Sequence, residues 1–320
     1  MRAIVRHAYG SPDVLRLEDV EKPAVEDDSV IVRVRAASLN ALDWHLMRGA
    51  PLMARDGLRR PKTHGLGVDV AGEVEAVGKD VTQLRPGDAV FGRAFGAFAE
   101  YARGKPGTFV LKPARISFEQ AAAIGIAGTT ALQGLRDRGQ LKPGQRVLIN
   151  GAGGGVGTFA VQIAKALGGD VTAVCGTHNV DLVGSLGADR VIDYTREDFT
   201  RSGQRFDLIL DVAANRSLAA CRRVLAPGGT LVVIGAAGNG RSILPIVMRI
   251  VGAKIWSRFG QRMSMMMAKI TQDDLLVLKE LIEAGKVTPI VDRTYPLSET
   301  AAAMRYLEQG HAQGKVVVTV

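Results

Sequence analysis

Residues Arg146 to Gly168 read RVLINGAGGGVGTFAVQIAKALG, and no other stretch limits the possible folds as tightly. Val147 to Ile149 is a short apolar run suited to a buried strand. Gly151 to Gly157 is a turn almost without side chains. Phe159, Val161, Ile163, Ala164 and Leu167 then recur at helical spacing. A strand, a glycine-rich turn and a helix in this order form a pyrophosphate cradle. Free backbone N–H groups and the positive helix end hold the anion, provided that nothing bulky keeps it away. The register is Ala152-x-Gly154-x-x-Gly157, with Ala in place of the first Gly. No Gly-Lys-Ser/Thr follows, so the turn is not a P-loop. The motif predicts a dinucleotide site.

The next strand, Val171 to Cys175, ends in Gly176-Thr177-His178-Asn179. NAD binders carry an acid there for the ribose 2′-hydroxyl, about 20 residues beyond the glycines. None stands at that tip in the sequence. Gly, Thr, His and Asn can accept a 2′-phosphate, so the expected cofactor is NADP(H).

Length and composition set the frame. The chain has 320 residues, 47% hydrophobic and 23% charged, which suits a globular protein of two domains. There is no signal-peptide pattern and no apolar run near the roughly 18 residues of a membrane span. Cys175 and Cys221 form neither a C-x-x-C pair nor a disulfide framework, which fits a reducing, cytoplasmic setting. The net charge of +9 is uneven: residues 123–262 carry 17 Lys and Arg against 9 Asp and Glu. That excess suits a polyanionic cofactor. No aromatic-rich basic stripe or DNA-binding motif accompanies it, so a small molecule is expected rather than nucleic acid, and no membrane partner.

The first 120 residues read as β-rich, with Val30, Val32, Val34 and Ala36 alternating with Ile31, Arg33 and Arg35. From Ser117 the texture becomes helical. After the fingerprint, strands at Arg190–Ile192, Asp207–Val212 and Thr230–Ile234 alternate with helices, including one expected from Ala214 to Leu225. This is the rhythm of a doubly wound parallel sheet. Asp273 to Gly285 reads as an amphipathic helix, Ser298 as the cap of another, and the chain ends in the strand Lys315–Val320.

Several short motifs recur in a fixed order: Ser38-Leu39-Asn40-Ala41-Leu42-Asp43, Gly67-Val68-Asp69-Val70-Ala71-Gly72-Glu73-Val74, Pro86-Gly87-Asp88, Ala127-Gly128-Thr129-Thr130-Ala131, the fingerprint, Val191-Ile192-Asp193-Tyr194 and Gly314-Lys315-Val316. In this order the chain resembles the zinc-free quinone oxidoreductase branch of the medium-chain dehydrogenase/reductases, over essentially its whole length. The resemblance implies an α/β protein: a Rossmann domain over 123–262, and a GroES-like β-barrel from 1–122 completed by 263–320. In zinc-dependent relatives a Cys and a Gly-His-Glu motif hold the metal. Asn40 and Gly67-Val68-Asp69 stand in their places, so no metal is expected.

The implied chemistry is NADPH-dependent hydride delivery to a quinone or another conjugated carbonyl. One alternative is an alkenal or enoyl-thioester reductase. Another is a non-catalytic NADPH-binding protein with a structural or RNA-binding role. The resemblance places Asn40 and His45 at the reacting centre, with Asp43 as a structural anchor. It places Asn40, Thr129 or Thr130, and Gly235 near the nicotinamide, and Gly154, Gly155 and Val156 on the pyrophosphate. Thr177, His178 and Tyr194 go to the 2′-phosphate, with Gly314 and Lys315 reaching back from the last segment. The plainer reading of His45 is a packed or surface histidine, and of Lys315 a solvated lysine ahead of an edge strand. Relatives of this kind pair through their Rossmann sheets, so a homodimer is expected, with Ile243 to Ile255 and Trp256 as the contact.

Overall fold

The computed structural model describes residues 1–234 and 260–320, and Gly235 and the expected dimer contact at 243–256 lie outside them. The chain divides into two compact units. The first comprises Met1–Thr129, Ile270–Glu283 and Pro289–Val320, and the second Thr130–Lys269 and Ala284–Thr288. The changeovers fall after Thr129 and Lys269, a few residues beyond the composition shifts.

Strands of the first unit are β1 (Arg2–Arg6), β2 (Leu15–Asp19), β3 (Val30–Ser38), β4 (Asp69–Val77), β5 (Ala89–Arg93), β6 (Tyr101–Gly104) and β7 (Phe109–Leu111). Those of the second are β8 (Arg146–Asn150), β9 (Asp170–Cys175), β10 (Arg190–Asp193), β11 (Phe206–Asp211), β12 (Leu225–Ile234) and β13 (Arg262–Met266). The chain then returns to the first unit with β14 (Val291–Pro296) and β15 (Lys315–Thr319). Helices used below are α1 (Ala41–Arg48), α2 (Phe118–Ala122), α3 (Gly125–Gln133), α4 (Gly155–Ala166), α5 (Val180–Ser185), α6 (Leu218–Arg223), α7 (Gln272–Glu283) and α8 (Thr300–Glu308).

In the first unit β3 is the spine. Val30, Val32 and Val34 are buried, while Arg33 and Arg35 face out and pair with Glu75 and Glu73 of β4. The sheet order is β14-β15-β3-β4-β5-β7, with β6 also pairing β3. All pairings in it are antiparallel except β14 with β15. The register matters for the site. Ser38, the last residue of β3, lies opposite Asp69 on one side and Val317 on the other. Three strand ends from distant parts of the chain therefore meet just before α1. The final strand is interior, so Lys315 does not precede a sheet edge.

The second unit is a parallel sheet of order β10-β9-β8-β11-β12-β13. The chain winds outward from β8 through β9 and β10, then resumes at β11 on the other side of β8. That reversal is where doubly wound sheets bind ligands. At this point the Asn150 amide donates to Asp211 Oδ1 at 2.7 Å and to Asn215 Oδ1 at 3.0 Å, tying the ends of β8 and β11 together.

Two expected helix boundaries differ. Ala214 adopts a left-handed φ of 49° and donates its N–H to Asp211. The helix starts only after Ser217, whose hydroxyl accepts from the Ala220 N–H, and Leu225 already belongs to β12. Ser298 lies inside a single 3-10 turn, Leu297–Glu299, and α8 begins at Thr300.

Candidate functional site

In the first unit the strand ends and the start of α1 enclose a network of buried charges. Ser38, Asn40, Asp43, Asp69 and Lys315 are all at most 7% exposed. The Lys315 ammonium donates to Asn40 Oδ1 at 2.5 Å and to the Leu39 carbonyl at 2.9 Å, and stands 3.7 Å from Asp69 Oδ2. The Asn40 amide nitrogen donates to Asp69 Oδ2 at 2.9 Å and to the Ser38 carbonyl at 3.3 Å. Ser38 Oγ donates to the same Asp69 oxygen, and the Ile126 N–H to the other. An ammonium only donates and a carboxylate only accepts, so the amide has one possible orientation. Both Asn40 donors are committed, leaving one Oδ1 lone pair. Asn40 can accept from a bound hydroxyl, but it has no donor for an acceptor oxygen.

Asp43 is the second buried carboxylate. It accepts from the Asn40 N–H at 2.8 Å and the Gly67 N–H at 3.2 Å, closing the first turn of α1. Burial, then the nearby Asp69 charge, pushes its carboxyl up to about 7. Burial also raises Asp69, opposed by Lys315, and lowers Lys315, opposed by Asp69 and Asp43. Two acids share one ammonium, so near neutral pH the cluster holds a proton on Asp43 part of the time. Gly125 is required by the same packing: a Cβ there would stand 2.1 Å from Asp69 Oδ1. The sequence reading missed Asp69 as a site residue. In the sequence Asp69 stands only as part of the Gly67–Val74 motif, with no role of its own.

His45 lies outside this network, half-buried in the last turn of α1. Its Nδ1 is 2.7 Å from the Ala50 carbonyl, and its ring meets Trp44 edge-on. Nδ1 therefore carries a proton, and Nε2 is the nitrogen left to exchange one. Thr129 is buried, and its hydroxyl donates back to the Gly125 carbonyl at 2.7 Å, with the Ile126 carbonyl 3.2 Å away, so it has no proton for a nicotinamide amide. Thr130 beside it is 5% exposed. Gly314 adopts φ 93°, and a Cβ would collide with the Ile290 carbonyl oxygen at 2.6 Å. Its identity is set by the turn into β15. Lys315 reads as an internal counter-ion rather than a solvated side chain.

In the second unit the fingerprint forms the cradle its glycines imply. Gly154 caps α4 in an extended conformation, and the N–H groups of Gly155, Val156 and Gly157 open the helix with no intrahelical acceptor. A Cβ on Gly154 would meet nothing nearer than the Gly151 carbonyl oxygen at 3.8 Å. On Gly157 it would stand 2.1 Å from that oxygen. Gly154 thus leaves room for a ligand, whereas Gly157 lets α4 pack on the loop. Asn179 abuts Gly153, and its buried Oδ1 has no hydrogen-bond partner, an acceptor waiting for a ligand donor. These features suit a nicotinamide dinucleotide.

The tip of β9 differs from its sequence reading. Asp193, at the end of β10 and opposite Cys175, brings a carboxylate to it. The Thr177 hydroxyl donates to Asp193 Oδ2 at 2.7 Å, and Thr195 donates to Oδ1 through both N–H and hydroxyl. These hydrogen bonds, with Arg196 nearby, hold the Asp193 carboxyl below the usual range. Thr177 consequently has no hydroxyl proton for a phosphate. His178 and Tyr194 remain exposed, and Arg196, 78% exposed and 3.5 Å from Asp193, adds a cation that the sequence reading missed. Among the described residues no group of three or more His, Cys, Asp or Glu converges to hold a metal.

Two outcomes follow from the buried charges. Lys315→Met strands Asp69 and should cost about 3–5 kcal/mol in urea unfolding, with most recovered by adding Asp69→Asn. A single variant as stable as the wild type would remove Lys315 as the counter-ion. Asp43 keeps its proton in the native state up to about pH 7, whereas an unfolded carboxyl loses it near pH 4. Its contribution is therefore full below about pH 4 and lost as pH rises through 7, at up to about 1.4 kcal/mol per pH unit. Asp43→Asn should flatten that part of the stability profile.

The comparisons with known proteins agree with this geometry. Residues 26–114 match the alcohol dehydrogenase GroES-like domain, and residues 186–318 match a zinc-binding dehydrogenase model. The chain is 35% identical to the NADPH-dependent alkenal/one oxidoreductase of Arabidopsis thaliana chloroplasts, over 99% of its length and 79% of the relative's. The quinone oxidoreductase of Coxiella burnetii superposes with TM-score 0.86 at 30% identity, covering 100% of this chain and 99% of the other. The Escherichia coli quinone oxidoreductase, solved with NADPH, gives 0.86 at 25% identity with both chains fully covered. With a GroES-like unit, a Rossmann sheet and relatives of this kind along its whole length, the chain belongs to the quinone oxidoreductase branch of the medium-chain dehydrogenase/reductases, a family of nicotinamide-dependent oxidoreductases.

Proposed function

We propose that this protein is an NADPH-dependent reductase that delivers hydride to a quinone or an α,β-unsaturated carbonyl without a metal. The observation that carries the reading is the Lys315 ammonium bound to Asn40. Zinc-dependent relatives place their first metal ligand at this position, and an ammonium there opposes a second cation. Without a Lewis acid the substrate must already be electrophilic, as conjugated carbonyls are. The bound nicotinamide supplies the hydride. In the second unit Gly155, Val156 and Gly157 would offer N–H groups to a pyrophosphate and Asn179 Oδ1 would accept from a ribose hydroxyl; in the first unit Asn40 keeps an Oδ1 lone pair for a ligand hydroxyl. Thr130 offers its hydroxyl to the carboxamide. His45 Nε2 returns a proton to the reduced acceptor.

NADPH is preferred because the one carboxylate at the β9 tip is already satisfied, while His178, Tyr194 and Arg196 are exposed beside it. Among the described residues β13 is the last strand of the parallel sheet, an edge that supports pairing of two copies into a homodimer. No described helix is long and apolar enough to cross a membrane. Cys175 and Cys221 are buried and form no disulfide, which supports a cytosolic setting.

In calorimetry NADPH should bind roughly tenfold or more tightly than NADH, since one charge-assisted phosphate contact gives about 1.5–3 kcal/mol. Gly176→Asp should shift that preference toward NADH. Equal affinities in the wild type would refute the cofactor choice. His45→Phe should lower kcat about 100-fold on enones at unchanged NADPH affinity, and less on quinones, whose reduced oxyanion takes its proton from water. Unchanged rates on every acceptor would assign the proton to solvent. Light scattering should give twice the monomer mass at micromolar concentration, and a monomer would remove the dimer.

A further inference from the structure

The segment from Ala50 to Gly65, in the first unit, is firmly held yet turns its aliphatic side chains outward. Leu52, Met53 and Leu58 are 65, 71 and 82% exposed. Beside them Arg59, Arg60 and Lys62 are exposed and join no ion pair among the described residues. Free chain with three exposed aliphatic residues would fold them inward. Here the backbone is pinned instead. The buried Arg6 guanidinium donates to the Leu46 carbonyl at the end of α1, and both Arg6 and Arg55 lie over the Tyr9 ring, at 5.1 and 4.9 Å.

The Tyr9 hydroxyl donates to Asp56 Oδ1 at 2.8 Å, lies 3.0 Å from the Gly57 carbonyl oxygen, and accepts from the Gly57 N–H. Asp56 also accepts from the N–H groups of Lys62 and Thr63. These bonds hold its carboxyl well below the usual range. Arg55 bonds the Gly49 and Leu58 carbonyls. Two buried or half-buried cations, a tyrosine and an aspartate are thus spent on one loop shape that displays an apolar tip flanked by cations.

We infer that the Ala50–Gly65 loop is a preformed contact for an anionic lipid surface, with Leu52, Met53 and Leu58 entering the headgroup boundary and Arg59, Arg60 and Lys62 meeting lipid phosphates and carboxylates. The charge pattern selects the occupant. Exposed aliphatic side chains and cations without a recorded ion pair on the same loop match an interface that is apolar inside and negative outside. Peripheral docking needs no membrane-spanning helix, and it places the protein where lipophilic acceptors dissolve. The contact itself is independent of which acceptor is reduced.

The test is sedimentation of the full-length protein with phosphatidylcholine vesicles, with or without 30 mol% phosphatidylserine, a composition on the order of an anionic leaflet. Binding to the anionic vesicles alone is expected, weakening with salt. Neutralising Arg59, Arg60 and Lys62 to Gln should weaken it about fivefold per cation removed. Leu52→Ser with Met53→Ser and Leu58→Ser should abolish binding while turnover of a water-soluble quinone stays at the wild-type rate. Thermal melting confirms that each variant is folded. No wild-type binding at low salt, or equal binding to both vesicle types, would overturn the inference. A raised acceptor KM in the serine variant with unchanged vesicle binding would instead make the loop part of the acceptor cleft, and loss of dimer mass would make it a contact between copies.

Discussion

The contact between the Lys315 ammonium and the Asn40 amide oxygen organises the first unit. Removing an ammonium from water costs several kcal/mol, and the protein offsets this with Asp69, the Leu39 carbonyl and the amide itself. Those partners must converge from three strand ends, which the register of β3 against β4 and β15 achieves. Further constraints follow from the same point. Gly125 cannot carry a side chain because Asp69 occupies its space, and Gly67 must present its N–H to Asp43. The start of α1 is thus fixed by charge placement as well as by helix propensity.

What could be read directly from the sequence was what depends on neighbours in the chain. The cradle at Gly151 to Gly157 is local: strand, turn and helix follow one another, and each glycine answers a nearby backbone atom. The alternation in β3 and the βαβ rhythm are local in the same sense. Lys315 and Asn40 are 275 positions apart and Asp69 and Asn40 are 29 apart, so no spacing joins them. In the sequence Lys315 therefore reads as a cofactor contact or a solvated lysine, and Asp69 as one residue of a motif without a role of its own. Asp193 was hidden for a related reason. It belongs to β10, and only the parallel pairing with β9 carries its carboxylate to Thr177.

Side-chain commitments also separate candidate residues that sequence treats as equals. Thr129 and Thr130 are adjacent hydroxyls, but Thr129 spends its proton on the preceding helical turn. Gly154 and Gly157 are two glycines of one motif, yet one is needed for access and the other for packing. Asn40 can still accept a hydrogen bond but has no donor left to give. Each distinction follows from counting donors and acceptors, and each narrows the chemistry a residue can perform.

The same counting explains why a metal-dependent site is not one substitution away. Replacing Asn40 by Cys would place a thiol against the Lys315 ammonium, which would favour the thiolate but hold it in an ion pair. Its lone pairs would face a cation rather than a metal. Removing Lys315 to free them would leave Asp69 and Asp43 as two buried acids without a counter-ion. A working metal site would thus require changes at Asn40, Val68 and Lys315 together, with the Asp69 carboxylate rebalanced. The charge bookkeeping of this cluster therefore favours an amide–ammonium centre, which supports the proposed chemistry on acceptors whose own conjugation stabilises the developing negative charge.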